Sequence, residues 1–317
     1  MITAMAETIH QRDVATLDIR AALKEAMKRL RAANVPSHTL AAELLLMHAL
    51  GRDRTWLYTH PEAPLEAAAA ENLFSLVSRR AAGEPTQYLT GKQEFWGLDF
   101  EVTPAVLIPR PETEHVVEVA LARLGAGSYA PGFAAGRASA TLRIADVGTG
   151  SGCIAVALAR ELPQASIVAT DISAEALDVA QRNAARHSVA DRIFFLRCNL
   201  LDRVSRSSLP FDLMVSNPPY VALDEASQLP REVRDHEPSE ALFPGPTGSE
   251  IYGALIEQAS ALLRPGGNLV VELGHNSSER VQAIFAAQPG WTDLRVTNDL
   301  AGIPRVLSAA WSSWPRP

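Results

Sequence analysis

The stretch LRIADVGTGSG, residues 142–152, passes from six residues of strand character into a glycine loop, and the run at 152–161 behind it has helical character. Strand, loop and helix in that order form a site for a nucleotide-like ligand. Gly148, Gly150 and Gly152 let main-chain amides approach closely, and a helix N-terminus favours an anionic group. The spacing narrows the choice. A dinucleotide fingerprint, G-x-G-x-x-G, would put its third glycine where Cys153 stands, whereas here the third is Gly152 and an acid, Asp146, precedes the loop. Asp171 closes the next apolar run, VATD, at the offset where a carboxylate accepts both ribose hydroxyls. It also precedes Ser173, where an acid could cap a helix. The two roles are compatible.

Outward from this unit, apolar runs alternate with helical ones. LRIADV is followed by a helix over 152–161, ASIVATD by a helix over 173–187, and RIFFL and FDLMVS by a helix over 249–263. NLVVELG precedes a helix over 276–287, and two strand-like runs near 291–297 and 304–310 complete the chain. Such alternation predicts a parallel sheet covered on both faces, with ligands at the carboxyl ends of its strands.

Residues 17–85 read differently. Leu23, Met27 and Leu30 share one helical face, as do Leu40, Leu44 and Met47, and Leu73, Leu76 and Val77. Ser37 can cap the second helix, Gly51 can end it, and Gly83-Glu84-Pro85 stops the last. A small helical bundle over 1–90 is the expectation. The β-formers of GKQEFWGLDFEVTPAVLIPRP, 91–111, predict a hairpin or extended linker before the sheet domain of 112–317. The loop at 125–140 is rich in Gly, Ala and Ser, and Ser-Arg-Ser-Ser at 205–208 reads as a surface loop.

The totals exclude some functions. Apolar residues make up 47% and charged ones 21%, an ordinary globular balance that argues against disorder. The net charge is −7, and because residues 1–90 hold ten Lys/Arg and ten Asp/Glu, the excess acid lies in 91–317. An acidic balance argues against stable nucleic-acid binding. Cys153 and Cys198 have no metal-ligand spacing and read as reduced core thiols of a cytoplasmic protein. The first residues lack a basic segment followed by an apolar one, and no run of about 18 apolar residues occurs, so neither export nor a membrane partner is expected.

The run FDLMVS ends in Asn217-Pro218-Pro219-Tyr220. Neither proline can donate to a sheet ladder, and an Asn-Pro pair after a strand is also a plain turn signal. The same residues suit methylation of a planar, poorly basic nitrogen. Its delocalised lone pair is free to react only if acceptors hold its hydrogens, and the Asn217 side-chain oxygen and the Pro218 carbonyl would be those acceptors. Proline has no N–H to satisfy and fixes φ, so that carbonyl is held in place. Tyr220 offers a ring face to the planar group. No general base is needed, because the proton can leave after transfer from a more acidic cation.

D-x-G-x-G-x-G over 146–152 resembles the pattern of class I S-adenosylmethionine-dependent methyltransferases. GEPTQYLTGKQEFWGL (83–98), LIPRPETE (107–114), DVGTGSG (146–152), SNPPY (216–220) and HEPSEAL (236–242) occur in this order in the release-factor glutamine methyltransferase family, HemK/PrmC, which the chain resembles over most of its length. The NPPY motif is shared with adenine and guanine amine methyltransferases, so 83–98 and LIPRPETE carry the family resemblance. Its implied fold is α/β: a Rossmann-like domain with a mostly parallel seven-stranded sheet, preceded by a small all-helical domain and a β-hairpin linker.

The implied reaction moves a methyl group from S-adenosylmethionine to the side-chain amide nitrogen of the glutamine in the Gly-Gly-Gln loop of class 1 peptide chain release factors. The product is S-adenosylhomocysteine, and no metal takes part. The alternatives are a ribosomal-protein glutamine methyltransferase and a nucleic-acid amine methyltransferase. By position, Gly148, Thr149, Gly150, Ser151 and Gly152 would line the methionine part of the cofactor, Asp171 its ribose, and Asn199 and Leu200 its adenine. Asn217, Pro218, Pro219 and Tyr220 would hold the substrate glutamine, with Asn217 also at the cofactor and Asn217, Pro218 and Tyr220 as the catalytic set. Thr113 and Glu114 would close over the methionine end. Many relatives carry an acid where Asn199 stands and some a larger aromatic where Leu200 stands, so adenine affinity is open to change while the reaction class is not. His236 and Glu237 lack metal spacing and belong to a loop near the substrate mouth; Arg110 either meets a carboxylate or is a solvated linker arginine. A monomer is expected, with the helical domain reading the protein partner.

Overall fold

In the computed structural model, which describes residues 17–125, 142–205 and 210–312, the helical pattern of the first ninety residues resolves into α1 (Ile19–Ala32), α2 (His38–Leu50), α3 (Arg54–Thr59), α4 (Ala67–Ala81) and α5 (Thr86–Thr90). The start of the chain, the glycine-rich loop from 126 and residues 206–208 of the serine run lie outside the described residues. The chain divides into two units, Met1–Gly91 with Pro230–His236, and Lys92–Leu229 with Glu237–Pro317.

Ala22, Ala26 and Leu30 of α1 and Ala41, Ala42, Leu45 and Leu46 of α2 form the core of the first unit with Leu73, Leu76 and Val77 of α4. The face of α2 is therefore one residue away from the expected Leu40, Leu44 and Met47 stripe, and Leu40 is exposed. Leu23 and Met27 likewise flank the core rather than fill it. Small alanines turn inward in both helices because they allow close approach of the backbones. Ser37 stands at the start of α2 in a left-handed conformation, φ 50°, and makes no capping bond, which corrects the expectation placed on it; Gly51 ends the helix at φ 62° as expected. Asp18 and Asp53 are the residues that cap, accepting from Ala21 N and Trp56 N at 2.7 Å each. Arg80, almost fully buried, pairs with Glu232 of the helical turn Arg231–His236.

The second unit begins with a hairpin, β1 (Lys92–Phe95) and β2 (Leu98–Glu101), whose register pairs Phe95 with Leu98. That leaves a two-residue turn, Trp96-Gly97, with φ of 56° and 68°. A primed turn asks for glycine or asparagine, so Trp96 is costly there and is held by two bonds, its N–H to Glu114 Oε1 at 2.8 Å and its indole N–H to Glu161 Oε1 at 2.9 Å. Phe95 and Phe100 are buried in the same core as Val116, Ile144 and Leu158. Each contributes about 2 kcal/mol by burial, so the hairpin is a packed part of this unit rather than a free linker.

After a turn of 3-10 helix at Pro111–Thr113 come α6 (Glu114–Leu124), β3 (Leu142–Val147), α7 (Cys153–Glu161), β4 (Ala165–Asp171), α8 (Ala174–Arg186), β5 (Ile193–Arg197), β6 (Phe211–Ser216), α9 (Glu250–Leu262), β7 (Leu263–Glu272), α10 (Ser278–Ala287), β8 (Trp291–Asn298) and β9 (Pro304–Trp311). The sheet has seven strands in the order β5-β4-β3-β6-β7-β9-β8. Its first five strands are parallel, and β9 runs antiparallel to both β7 and β8. Alternate residues serve opposite faces: Ile144, Leu213 and Val215 pack under α6 and α7, while Ala145, Val147 and Met214 pack under α9 and α10. The order reverses between β3 and β6, which opens the crevice where α/β folds place their ligands.

Candidate active site

Register brings the motifs together. Val147 pairs with Thr170 on one side and Ser216 on the other, and Ser216 pairs with Val271. The residues that follow these four, Gly148, Asp171, Asn217 and Glu272, therefore leave adjacent strand ends on one edge of the sheet.

The glycine loop is built by its own main chain. Gly148 N and Thr149 N both donate to Thr170 O at 2.9 Å, and Gly150 N donates to Asp171 Oδ2 at 2.9 Å. Gly148, Gly150 and Gly152 have φ of 73°, 54° and 81°, the left-handed region that a side chain resists. Asp146 braces the loop from inside: its Oδ2 accepts from Thr149 Oγ1 at 2.6 Å and from Ala155 N at 3.1 Å. Full burial pushes its carboxyl up to about 7.

A cleft with about 150 Å³ of free volume opens above these ends. It is lined by Gly148, Thr149, Gly150, Ser151, Asp171, Asn199, Leu200, Asn217 and Pro219, and also by Thr113 and Glu240. Gly152, Pro218 and Tyr220 are not on its lining. A Cβ on Gly152 would lie 3.1 Å from Ala180 Cβ, so that glycine serves the packing of the loop against α8. Cys153 and Cys198 are buried and unpaired and border the cleft; burial pushes the Cys153 thiol up to about 12, which keeps it protonated.

Asp171 Oδ1 accepts from Ser173 N at 2.9 Å, while Ser173 Oγ accepts from Ala176 N at 3.1 Å. Ser173 is thus the cap of α8, and Asp171 holds the glycine loop and faces the cleft. Burial raises its pKa against the opposing main-chain bonds from Ser173 and Gly150.

Asn217 donates Nδ2–H to Thr113 Oγ1 at 3.1 Å. Tyr220, expected to offer a ring face to the substrate, donates its hydroxyl to Glu272 Oε1 at 3.1 Å, and burial with the Glu272 charge holds its pKa well above 10. Glu272 is 1% exposed, and burial pushes its carboxyl up to about 7 although the Thr113 and Tyr220 hydroxyls act to lower it. The chain beyond Tyr220 is fixed by Val221 N donating to Leu242 O at 2.9 Å. Glu237 takes Arg110 at 2.6 Å and Ile108 N at 3.3 Å, so Arg110 is paired rather than solvated and LIPRP is tied to HEPSEAL. Glu114 is spent on the hairpin turn, leaving Thr113 alone at the cleft.

Glu272 and the Arg110–Glu237 pair escaped the sequence reading. A carboxylate closing the all-apolar run NLVVE is the signal that could have found Glu272, because a buried acid at a strand's carboxyl end needs a reason to be there.

Comparison with known proteins agrees with this construction. Residues 21–91 match the family model of the PrmC N-terminal domain, and 135–232 match that of the methyltransferase small domain. A release factor glutamine methyltransferase of Koribacter versatilis is 44% identical over 92% of this chain and 98% of that protein. One of Nitratidesulfovibrio vulgaris is 43% identical over 90% of this chain and 93% of that protein. Among solved structures, the catalytic domain of hMettl16 in complex with MAT2A 3'UTR hairpin 6 covers 75% of this chain and 82% of its own at a TM-score of 0.54 and 18% identity, a likeness of fold alone. With a helical first unit, a packed hairpin and the class I methyltransferase sheet, and with such identity along nearly its whole length, the chain belongs to the release factor glutamine methyltransferase family.

Proposed function

We propose that the chain transfers a methyl group from S-adenosylmethionine to the side-chain amide nitrogen of the glutamine in the Gly-Gly-Gln loop of class 1 peptide chain release factors. The observation that carries the substrate is the 43–44% identity to release factor glutamine methyltransferases along nearly the whole chain. The one that supports the chemistry is the Asn217 amide: its Nδ2 is spent on Thr113, no donor among the described residues bonds its Oδ1, and it lines the same cleft as the glycine loop.

The cleft residues fit the cofactor. A Cβ on Gly148 or Gly150 would meet no protein atom within 4 Å, so these glycines leave space at the loop for a ligand to approach the main chain. Asp171 supplies a carboxylate for the ribose, Asn199 and Leu200 border the adenine, and Gly148 to Ser151 the methionine part. When bound, S-adenosylmethionine supplies an electrophilic methyl carbon.

The chain's part is to hold the amide. Asn217 Oδ1 and the Pro218 carbonyl accept its two hydrogens, which directs the nitrogen's lone pair away from them and towards the incoming carbon. No side chain has to remove a proton before transfer, because the methylated nitrogen is acidic enough to lose one afterwards. The helical unit reads the protein partner, since a three-residue loop offers too little surface for specificity. Incubation with a purified release factor and labelled cofactor tests the reading: Asn217→Ala abolishes transfer while cofactor binding persists.

A further inference from the structure

An asparagine is useful as an acceptor only if its oxygen, not its nitrogen, faces the substrate. The two differ little in shape, so the neighbours must choose between them. The Asn217 side chain meets Thr113 Oγ1 at 3.1 Å, and a hydroxyl can present either a proton or a lone pair to it. What the hydroxyl presents depends on its other neighbour. The Thr113 hydroxyl lies near enough to the Glu272 carboxyl to act on its pKa, and Glu272 Oε2 is buried with no hydrogen-bond partner among the described residues, so it is an acceptor open to the Thr113 proton. An ionised carboxylate can only accept. On the far side of the same carboxyl, Tyr220 donates to Oε1 at 3.1 Å. Thr113 and Glu272 are 2% and 1% exposed, so bulk solvent does not compete freely for either group.

We propose that Thr113 and Glu272 are positioning residues of the methyl transfer: ionised Glu272 takes the Thr113 proton, which leaves a Thr113 lone pair for Asn217 Nδ2 and so turns Asn217 Oδ1 into the cleft. This rests on the reading of Asn217 as the acceptor for the substrate amide. Asn217 and Tyr220 both belong to the NPPY motif, so the carboxylate, through Thr113 on one side and its bond from Tyr220 on the other, sets the polarity of both ends of the loop. The titratable or charged groups facing Glu272 are Tyr220, Tyr252, Cys153, Glu112 and Arg305. Burial brings the Glu272 carboxyl to about 7, so its protonation on the acid side makes it a donor and permits the Asn217 amide to reverse.

The test uses the full chain, labelled S-adenosylmethionine and a purified class 1 release factor. Glu272→Gln can offer Thr113 a donor, and it is expected to lower kcat roughly tenfold to a hundredfold, with little change in KM or in cofactor affinity and no fall in melting temperature. Thr113→Val should lose about as much, Thr113→Ser should stay within about threefold of the parent, and the double variant Thr113→Val/Glu272→Gln should lose no more than the worse single one. The parent's kcat should also fall below about pH 7, and this acid limb should vanish in Glu272→Gln. Parental kcat in Glu272→Gln, additive losses in the double variant, or a loss that follows melting temperature or cofactor affinity would each overturn the proposal. Activity retained in Asn217→Ala would instead overturn the reading beneath it, and the proposal with it.

Discussion

Gly150 and Asp171, 21 residues apart in the chain, are joined by a hydrogen bond from the glycine's main-chain N–H to the carboxylate's Oδ2 at 2.9 Å. The acid that faces the cleft is therefore also the clamp of the loop beside it, and two parts of the proposed cofactor site are set by one side chain. Replacing Asp171 by Ala removes a charge-assisted bond, worth about 2 kcal/mol, together with the proposed ribose contact. Cofactor affinity should fall at least tenfold in calorimetry, and Asp171→Asn, which keeps one acceptor, should lose less. Equal affinity in Asp171→Ala would remove Asp171 from the site.

The Tyr220 ring is held against glycine. A Cβ on Gly274 would lie 2.8 Å from Tyr220 Cδ2, well inside contact distance. Gly274→Ala must push the ring, and with it the hydroxyl bonded to Glu272. A fall in kcat of about tenfold is expected, larger than any change in KM, with Tyr220→Phe giving a milder loss because the ring stays in place. A Gly274→Ala enzyme with parental kcat would show that the Tyr220 position does not matter to transfer.

Burial holds the Asp146 and Glu272 carboxyls protonated up to about 7, against ordinary values of 3.8 and 4.5. Between those limits the folded chain keeps protons that the unfolded chain has released, so stability is highest below the window and is lost as pH rises through it. Asp293 and Asp299 are held below 3.8 by arginine partners; their contribution is lost only as pH falls below that value, so it is constant across the same window. The melting temperature of the cofactor-free protein should then decline between about pH 5 and about pH 7.5, less steeply in Glu272→Gln. A flat or rising curve in the parent would contradict the buried, protonated state of these acids.

Most of the sheet was readable because parallel strands buried on both faces leave apolar runs, and the glycine loop and VATD marked two of their carboxyl ends. The phase of α2 was not, because HTLAAELLLMHAL is apolar nearly all round and offers no polar face to orient it; Ala41, Ala42, Leu45 and Leu46 won the core by fit. The role of Ser37 failed for a local reason, since its backbone is left-handed rather than in the extended conformation of a capping residue, and its side chain makes no bond to the helix N–H groups. The cleft residues Asp171, Asn199, Leu200, Asn217 and Pro219 were legible as motif positions. The Tyr220–Glu272 bond was not, because 52 residues separate its partners and only the crossover from β6 to β7 joins them.

Mapping the methylated atom by mass spectrometry tests the central claim most directly. A purified class 1 release factor, incubated with the chain and S-adenosylmethionine, should gain one methyl on the side-chain amide of its Gly-Gly-Gln glutamine, and none with Asn217→Ala. A methyl on another residue, or transfer to nucleic acid with the release factor unmodified, would contradict the account.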